Sequence, residues 1–222
     1  MNKNNELINK KTLVLTTLLT LASMVPGILL WDRLPDTIAT HFGLDGTPDG
    51  WSSKLTAVIL LPLLMAGLQL LCAFGISTDP KKGNIRPKMV DLVLWIIPIA
   101  ALITESSILA IAMGKNVDMR RMAFLIVGPV FLVMGNYMPK MQQSYTMGIK
   151  IPWTLASEDN WNRTHRMAGK LWVAGGLLLT ADAFFRRMND TALIGLILVL
   201  ALAPEVYSYL LYRKESRDSL DN

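Results

Sequence analysis

The chain has 222 residues, of which 52% are hydrophobic and only 18% charged, with mean hydropathy +0.37, a net charge of +5 and a pI of about 9.4. So apolar a composition excludes an ordinary soluble enzyme domain. The basic pI does not point to nucleic acid, because Lys and Arg collect on the cytoplasmic side of membrane proteins.

Long apolar runs recur over about 12–31, 54–76, 89–113, 122–138, 169–185 and 191–212. Most approach or exceed the roughly 20 apolar residues a bilayer-spanning helix needs. The runs are continuously apolar rather than alternating, and lipid offers no hydrogen-bond partners to a backbone, so each must be a helix rather than a barrel strand. The predicted fold is all-α: a polytopic membrane protein of about six transmembrane helices, with no room for a separate soluble domain.

The first run follows Lys10 and Lys11. No small-residue cleavage site closes it, and it ends in Trp31-Asp32-Arg33-Leu34-Pro35, with an aromatic belt residue in place. We read it as a retained span. The loop over about 32–53 carries Asp32, Asp36, Asp45 and Asp49. Asp45-Gly46 and Pro48-Asp49-Gly50 are turn signals, with a short extended piece predicted over Ile38 to Phe42 and Trp51 at the interface as the second span begins. His41, Asp45 and Asp49 form neither a zinc nor an EF-hand pattern. They are expected to satisfy turn backbone in a structured cap, with no metal.

Within the spans lie Gln69, Glu105 beside Thr104, Ser106 and Ser107, Asp182 near one end of the fifth run, and Glu205 after Pro204. An ionisable residue at membrane depth is by default a functional hypothesis; the bland alternative is a helix–helix hydrogen bond. Cys72 is isolated in apolar sequence. No HExxH, GxSxG or phosphate-binding loop occurs, so neither catalysis nor a cofactor is implied.

The loop over about 139–168 is the most distinctive. It reads Gly135-Asn136-Tyr137-Met138-Pro139-Lys140, then Gly148-Ile149-Lys150-Ile151-Pro152-Trp153-Thr154-Leu155, then Ser157-Glu158-Asp159-Asn160-Trp161-Asn162-Arg163-Thr164-His165-Arg166. Ser157 is a good N-cap, and Glu158 and Asp159 suit the positive end of a starting helix. Trp161, His165, Ala168 and Trp172 fall on one helical face, and Arg163, Arg166 and Lys170 on another. This predicts an amphipathic helix running into the fifth span. Trp153, Trp161, His165 and Arg166, with Arg163 and Lys150, are the candidate recognition residues; a basic face that merely holds anionic lipid is the alternative.

Six spans bring both termini to one side. Fifteen of the 22 basic residues fall on that side, in the N-terminal segment, the second and fourth loops and the tail. The positive-inside rule makes it cytoplasmic.

The stretch from Gly148 to Lys170, with Pro152-Trp153-Thr154 and Trp161…His165-Arg166, resembles the signature of the SdpI family. The segment Pro35…His41-Phe42…Gly46-Thr47-Pro48-Asp49-Gly50-Trp51-Ser52-Ser53-Lys54 is similar to the membrane domain of unknown function often found before that signature. The resemblance implies a bacterial cytoplasmic-membrane protein giving immunity against a secreted, membrane-active toxin peptide. It further implies signalling, by holding a small transcriptional repressor at the membrane, without direct contact to nucleic acid. On this reading residues 1–76 are a two-helix membrane domain with a structured outer loop, and 77–222 a four-helix domain with a cytoplasmic signature loop. Membrane lipid is a further expected partner. The rival reading is a small ion-coupled transporter using Glu105 and Glu205.

Overall fold

The computed structural model describes residues 7–218 and is helical, with six helices long and apolar enough to cross a membrane: Lys10–Leu29, Thr56–Ser77, Pro87–Ala112, Met119–Lys140, Glu158–Phe185 and Asp190–Asp218. All six coincide with the apolar runs. The first is interrupted where α1 (Lys10–Ala22) gives way to α2 (Val25–Leu29): the Ser23 hydroxyl donates to Thr20 O at 2.7 Å, and Pro26 contributes no N–H. The second opens on a π turn, Thr56–Leu60, before α3 (Leu61–Ser77). Helix α4 (Pro87–Ala112) and α5 (Met119–Tyr137) continue through Pro98 and Pro129. A short α6 (Pro152–Ala156) precedes α7 (Glu158–Phe185), and α8 (Asp190–Asp218) is the last helix among the described residues. The predicted amphipathic segment and the fifth span are one unbroken helix, α7.

Close packing gathers the residues into two units. One holds the chain up to Ser77 with Pro87–Ile126; the other holds Thr78–Arg86 with the chain from Val127 onward. This partition follows contacts, whereas the sequence segments 1–76 and 77–222 follow loop order.

In the first unit, Gln69 of α3 is fully buried between two threonines of α1. Its amide nitrogen donates to Thr16 Oγ1 at 2.5 Å, and its oxygen accepts from Thr20 Oγ1 at 2.9 Å. Gln69 thus joins two helices, the bland reading of an intramembrane polar side chain. The extended piece in the loop after the first span is half of a two-stranded antiparallel hairpin, β1 (Thr37–Phe42) and β2 (Pro48–Ser53), the one departure from an all-helical fold among the described residues. It sits on an apolar cluster of Leu34, Ile38, Ala57, Val58, Ile108, Leu109 and Met119.

In the second unit, α5 and α7 cross through glycines. A β-carbon on Gly135 would stand 2.9 Å from Gly169 O, and one on Gly169 would stand 2.7 Å from Gly135 O; one on Gly176 would stand 2.7 Å from Gly128 O. The two pairs are seven residues apart on each helix, so the same face recurs. Lipid supplies no hydrophobic drive for helix pairing, and close backbone approach takes its place. Helix α8 joins α7 through a buried polar contact: Asn160 donates Nδ2 to Ser208 O at 2.9 Å and accepts from Ser208 Oγ at 2.6 Å.

Candidate functional site

The loop between α5 and α6 has little regular structure, yet most of its polar groups are fixed by side chains from elsewhere in the second unit. A 3-10 turn, Met138–Lys140, ends α5. Beyond it, the buried Asp79 carboxylate accepts four hydrogen bonds. Oδ1 takes Lys81 N at 2.7 Å; Oδ2 takes Tyr145 N at 2.9 Å, Thr146 N at 2.8 Å and Thr146 Oγ1 at 2.6 Å. Burial pushes this carboxyl upward, but the Thr146 hydroxyl and the amides of Lys81, Thr146 and Tyr145 outweigh it and hold it below its ordinary value.

Gln143 makes the second tie. Its Nε2 donates to Thr154 O and Leu155 O at 2.8 and 2.9 Å, its Oε1 accepts from Lys81 Nζ, and its backbone carbonyl accepts from Asn84 Nδ2 at 2.8 Å. Thr154 fastens the start of α6, donating to Ile149 O and accepting from Ile151 N. In all, this connects the 78–86 segment, the 141–151 loop and α6 through two buried polar side chains and a threonine.

The third tie comes from α7. Trp161 and His165, one turn apart, stack with centroids 4.0 Å apart and are each 1% exposed. The Trp161 indole donates to Met141 O at 2.9 Å. His165 Nε2 accepts from Ile149 N at 3.0 Å, which leaves its proton on Nδ1, 2.8 Å from Trp161 O. Gly148 has φ +105°, and a β-carbon there would stand 2.6 Å from His165 Nε2 and 2.8 Å from the Trp161 ring. Only glycine fits that backbone angle and that gap.

The expected recognition surface therefore divides. Trp161 and His165 are not on the surface; they hold the loop from within, because their N–H and ring nitrogen are the partners that a loop without secondary structure lacks. Arg163, Arg166 and Lys150 are exposed, with Arg163 3.4 Å from Asp159 and Lys150 donating to Thr146 O. Trp153 is half-buried against Tyr209 and Tyr212, at centroid distances of 5.0 and 6.4 Å.

The other predicted residues belong to other elements. Glu105 is 5% exposed in α4, and its Oε1 has no hydrogen-bond partner among the described residues. Glu205 is exposed on α8, so it faces lipid or solvent rather than the interior. Asp182 caps α7, accepting from Arg187 N and Met188 N at 2.7 and 2.8 Å. In the hairpin, His41 Nδ1 lies 2.5 Å from Asp49 Oδ1, Asp45 Oδ1 accepts from Thr47 N at 2.9 Å, and Trp51 is 62% exposed. Among the described residues, no three His, Cys, Asp or Glu side chains gather as a metal site.

Asp79 and Gln143 carry no sequence signal for these ties, and Gly148 and Thr154 enter from the sequence only as members of the loop and its resemblance, without a role. The signals present are an Asp-Pro pair between two spans and a glycine in a tryptophan-rich loop; the first does not reveal partners at Tyr145 and Thr146, nor the second the ring pair on α7.

Six helices long and apolar enough to cross a membrane define a multi-pass membrane protein. Residues 140–208 match the model of the SdpI/YfhL protein family, and residues 18–66 match a domain of unknown function, DUF1648. The chain is similar to the immunity protein SdpI of Bacillus subtilis (strain 168), with 24% identity over 202 residues that cover 90% of this chain and 96% of that protein. No solved structure matches it.

Proposed function

We propose that this chain is a non-enzymatic immunity and signalling protein of the bacterial cytoplasmic membrane. It protects against a secreted, membrane-active toxin peptide met at its outer side, and it holds a small transcriptional repressor at the cytoplasmic side. The observation that carries the reading is similarity to an immunity protein along 90% of the chain, including the loop fixed by Asp79, Trp161 and His165. The exposed Arg163, Arg166 and Lys150, with Trp153, supply the cytoplasmic contact, and the same basic face meets anionic lipid.

Expression in a toxin-sensitive strain is expected to raise survival against the matching toxin; unchanged killing at normal membrane levels, across several candidate toxins, defeats the proposal. A second reading, an ion-coupled carrier, is favoured by the unpartnered buried oxygen of Glu105. Glu105→Gln in the same assay separates the two: a carrier loses its output, whereas an immunity protein keeps it.

The orientation proposed has both termini in the cytoplasm, supported by the count of 15 basic residues on that side. Reporters fused after Asn116 and within Thr40–Gly50 are expected to read outside, and one after Ser157 inside. A cytoplasmic reading from the Thr40–Gly50 fusion reverses the topology.

A further inference from the structure

Beside the fixed loop the second unit contains a polar cleft that none of the roles above uses. Its volume is about 310 Å³, and it is lined by Asn84, Gln142, Gln143, Glu158, Trp161 and Asn162. Three of these are pinned. Gln143 is tied through both ends of its carboxamide, and Asn84 gives Nδ2 to the Gln143 carbonyl, which leaves Asn84 Oδ1 as its acceptor. The Trp161 indole is held by its bond to Met141 O, so its only N–H donor is already committed. Gln142, Glu158 and Asn162 are exposed.

The formal charge of this lining has one sign. Glu158 is the one acidic side chain among the lining residues, and Asp159 follows directly in sequence. Asn84, Gln142 and Asn162 are carboxamides, each able to turn an oxygen toward a donor placed beside Glu158. No cation lines the cleft; Lys81, in the adjoining segment, is engaged by Gln143 Oε1 and stands 5.7 Å from the Tyr145 ring centroid.

We propose that this cleft receives a guanidinium, the arginine side chain of a partner polypeptide. A guanidinium presents five donors in one plane and pairs with a carboxylate through two parallel bonds, which suits one carboxylate among several amide oxygens. An ammonium offers fewer donors in a compact head. An anion would meet the Glu158 carboxylate, and an apolar group would displace water from the carboxamides without replacing its hydrogen bonds. The exposed cations Lys82, Arg86, Lys150 and Arg163 of the same unit raise the surrounding potential, but salt screens exposed charges beyond roughly 8 Å, and contact with Glu158 decides. The inference deepens the proposed cytoplasmic recognition and rests on that reading for what carries the arginine.

The test uses the full chain in nanodiscs, labelled with 5-fluorotryptophan, with the Trp161 resonance assigned through Trp161→Phe. N-acetyl-arginine amide is titrated beside its neutral isostere N-acetyl-citrulline amide and beside inorganic phosphate. The arginine derivative is expected to shift the Trp161 resonance saturably, the citrulline derivative to bind about tenfold or more weakly, and phosphate to leave the resonance in place. Glu158→Gln is expected to weaken arginine binding by about tenfold while the unliganded resonance stays where it was, as a merely helix-capping role for Glu158 would not require. Asn162→Ala should weaken it by less. Equal binding of the two amides, a shift caused by phosphate, no saturable shift, or an unaltered affinity in Glu158→Gln overturns the proposal. Survival assays score immunity and this titration scores only the cleft, so either can fail alone.

Discussion

Replacing Gly148 by alanine is expected to destabilise the second unit by about 3 kcal/mol, from two independent sources. The first is the backbone: at φ +105° an L side chain is strained whatever the surrounding space. The second is steric. The new methyl would stand 2.6 Å from His165 Nε2 and 2.8 Å from two carbons of the Trp161 ring, so the stacked pair must move. Movement breaks the Ile149 N–H bond to His165 and strains the indole bond to Met141, leaving buried groups unpartnered. Gly83→Ala is the control: a β-carbon at Gly83 meets nothing within 4 Å, so stability should change little. Thermal unfolding of both variants in nanodiscs checks this. Equal midpoints would mean that the loop does not depend on the glycine.

Asp79→Ala is expected to have an effect of similar size, about 3 kcal/mol, because it removes one acceptor group from four donors at once. Asp79→Asn should fall between alanine and wild type. Its oxygen can serve the three donors from Tyr145 and Thr146, but its NH2 group then faces the Lys81 N–H, donor against donor. Amide exchange at Tyr145 and Thr146 is the direct readout and should accelerate in the order wild type, asparagine, alanine. The pH dependence follows from the lowered carboxyl. An acid held below its ordinary value contributes stability above that value and loses it as pH falls through the lowered one. The protection of Tyr145 and Thr146 should therefore persist through mildly acidic conditions and fail only below the usual carboxylate range. Loss of protection between neutral and mildly acidic pH would show that some other group closes the loop.

The helices were legible because the bilayer imposes a length and a polarity that can be read from composition alone. Continuous apolar runs near 20 residues admitted one backbone solution, and the start of α7 was marked by Ser157, which accepts from Asn160 N in the structure. The hairpin was half legible: its turn residues announced a reversal, while the pairing of Thr37 with Ser53 required the fold. The loop site was not legible. Trp161 and His165 lie at helical spacing on one face, and that pattern suits a partner outside the chain as well as one inside it. Here the partner is the chain's own backbone at Met141 and Ile149, supplied by a segment with no periodicity of its own. Asp79 was hidden for a related reason. A lone carboxylate in a basic loop suggests solvation, and only the fold brings four donors to it.

The glycine pairs that join α5 to α7 change what substitution means along those two helices. Over most of a lipid-facing surface, one apolar side chain serves nearly as well as another, because the solvent on the far side is itself hydrocarbon. At Gly128, Gly135, Gly169 and Gly176 the useful property is an absent side chain, and no conservative replacement exists. Information in this stretch is thus stored as gaps seven residues apart in an otherwise permissive text, and the crossing of the two helices is specified by what the sequence leaves out.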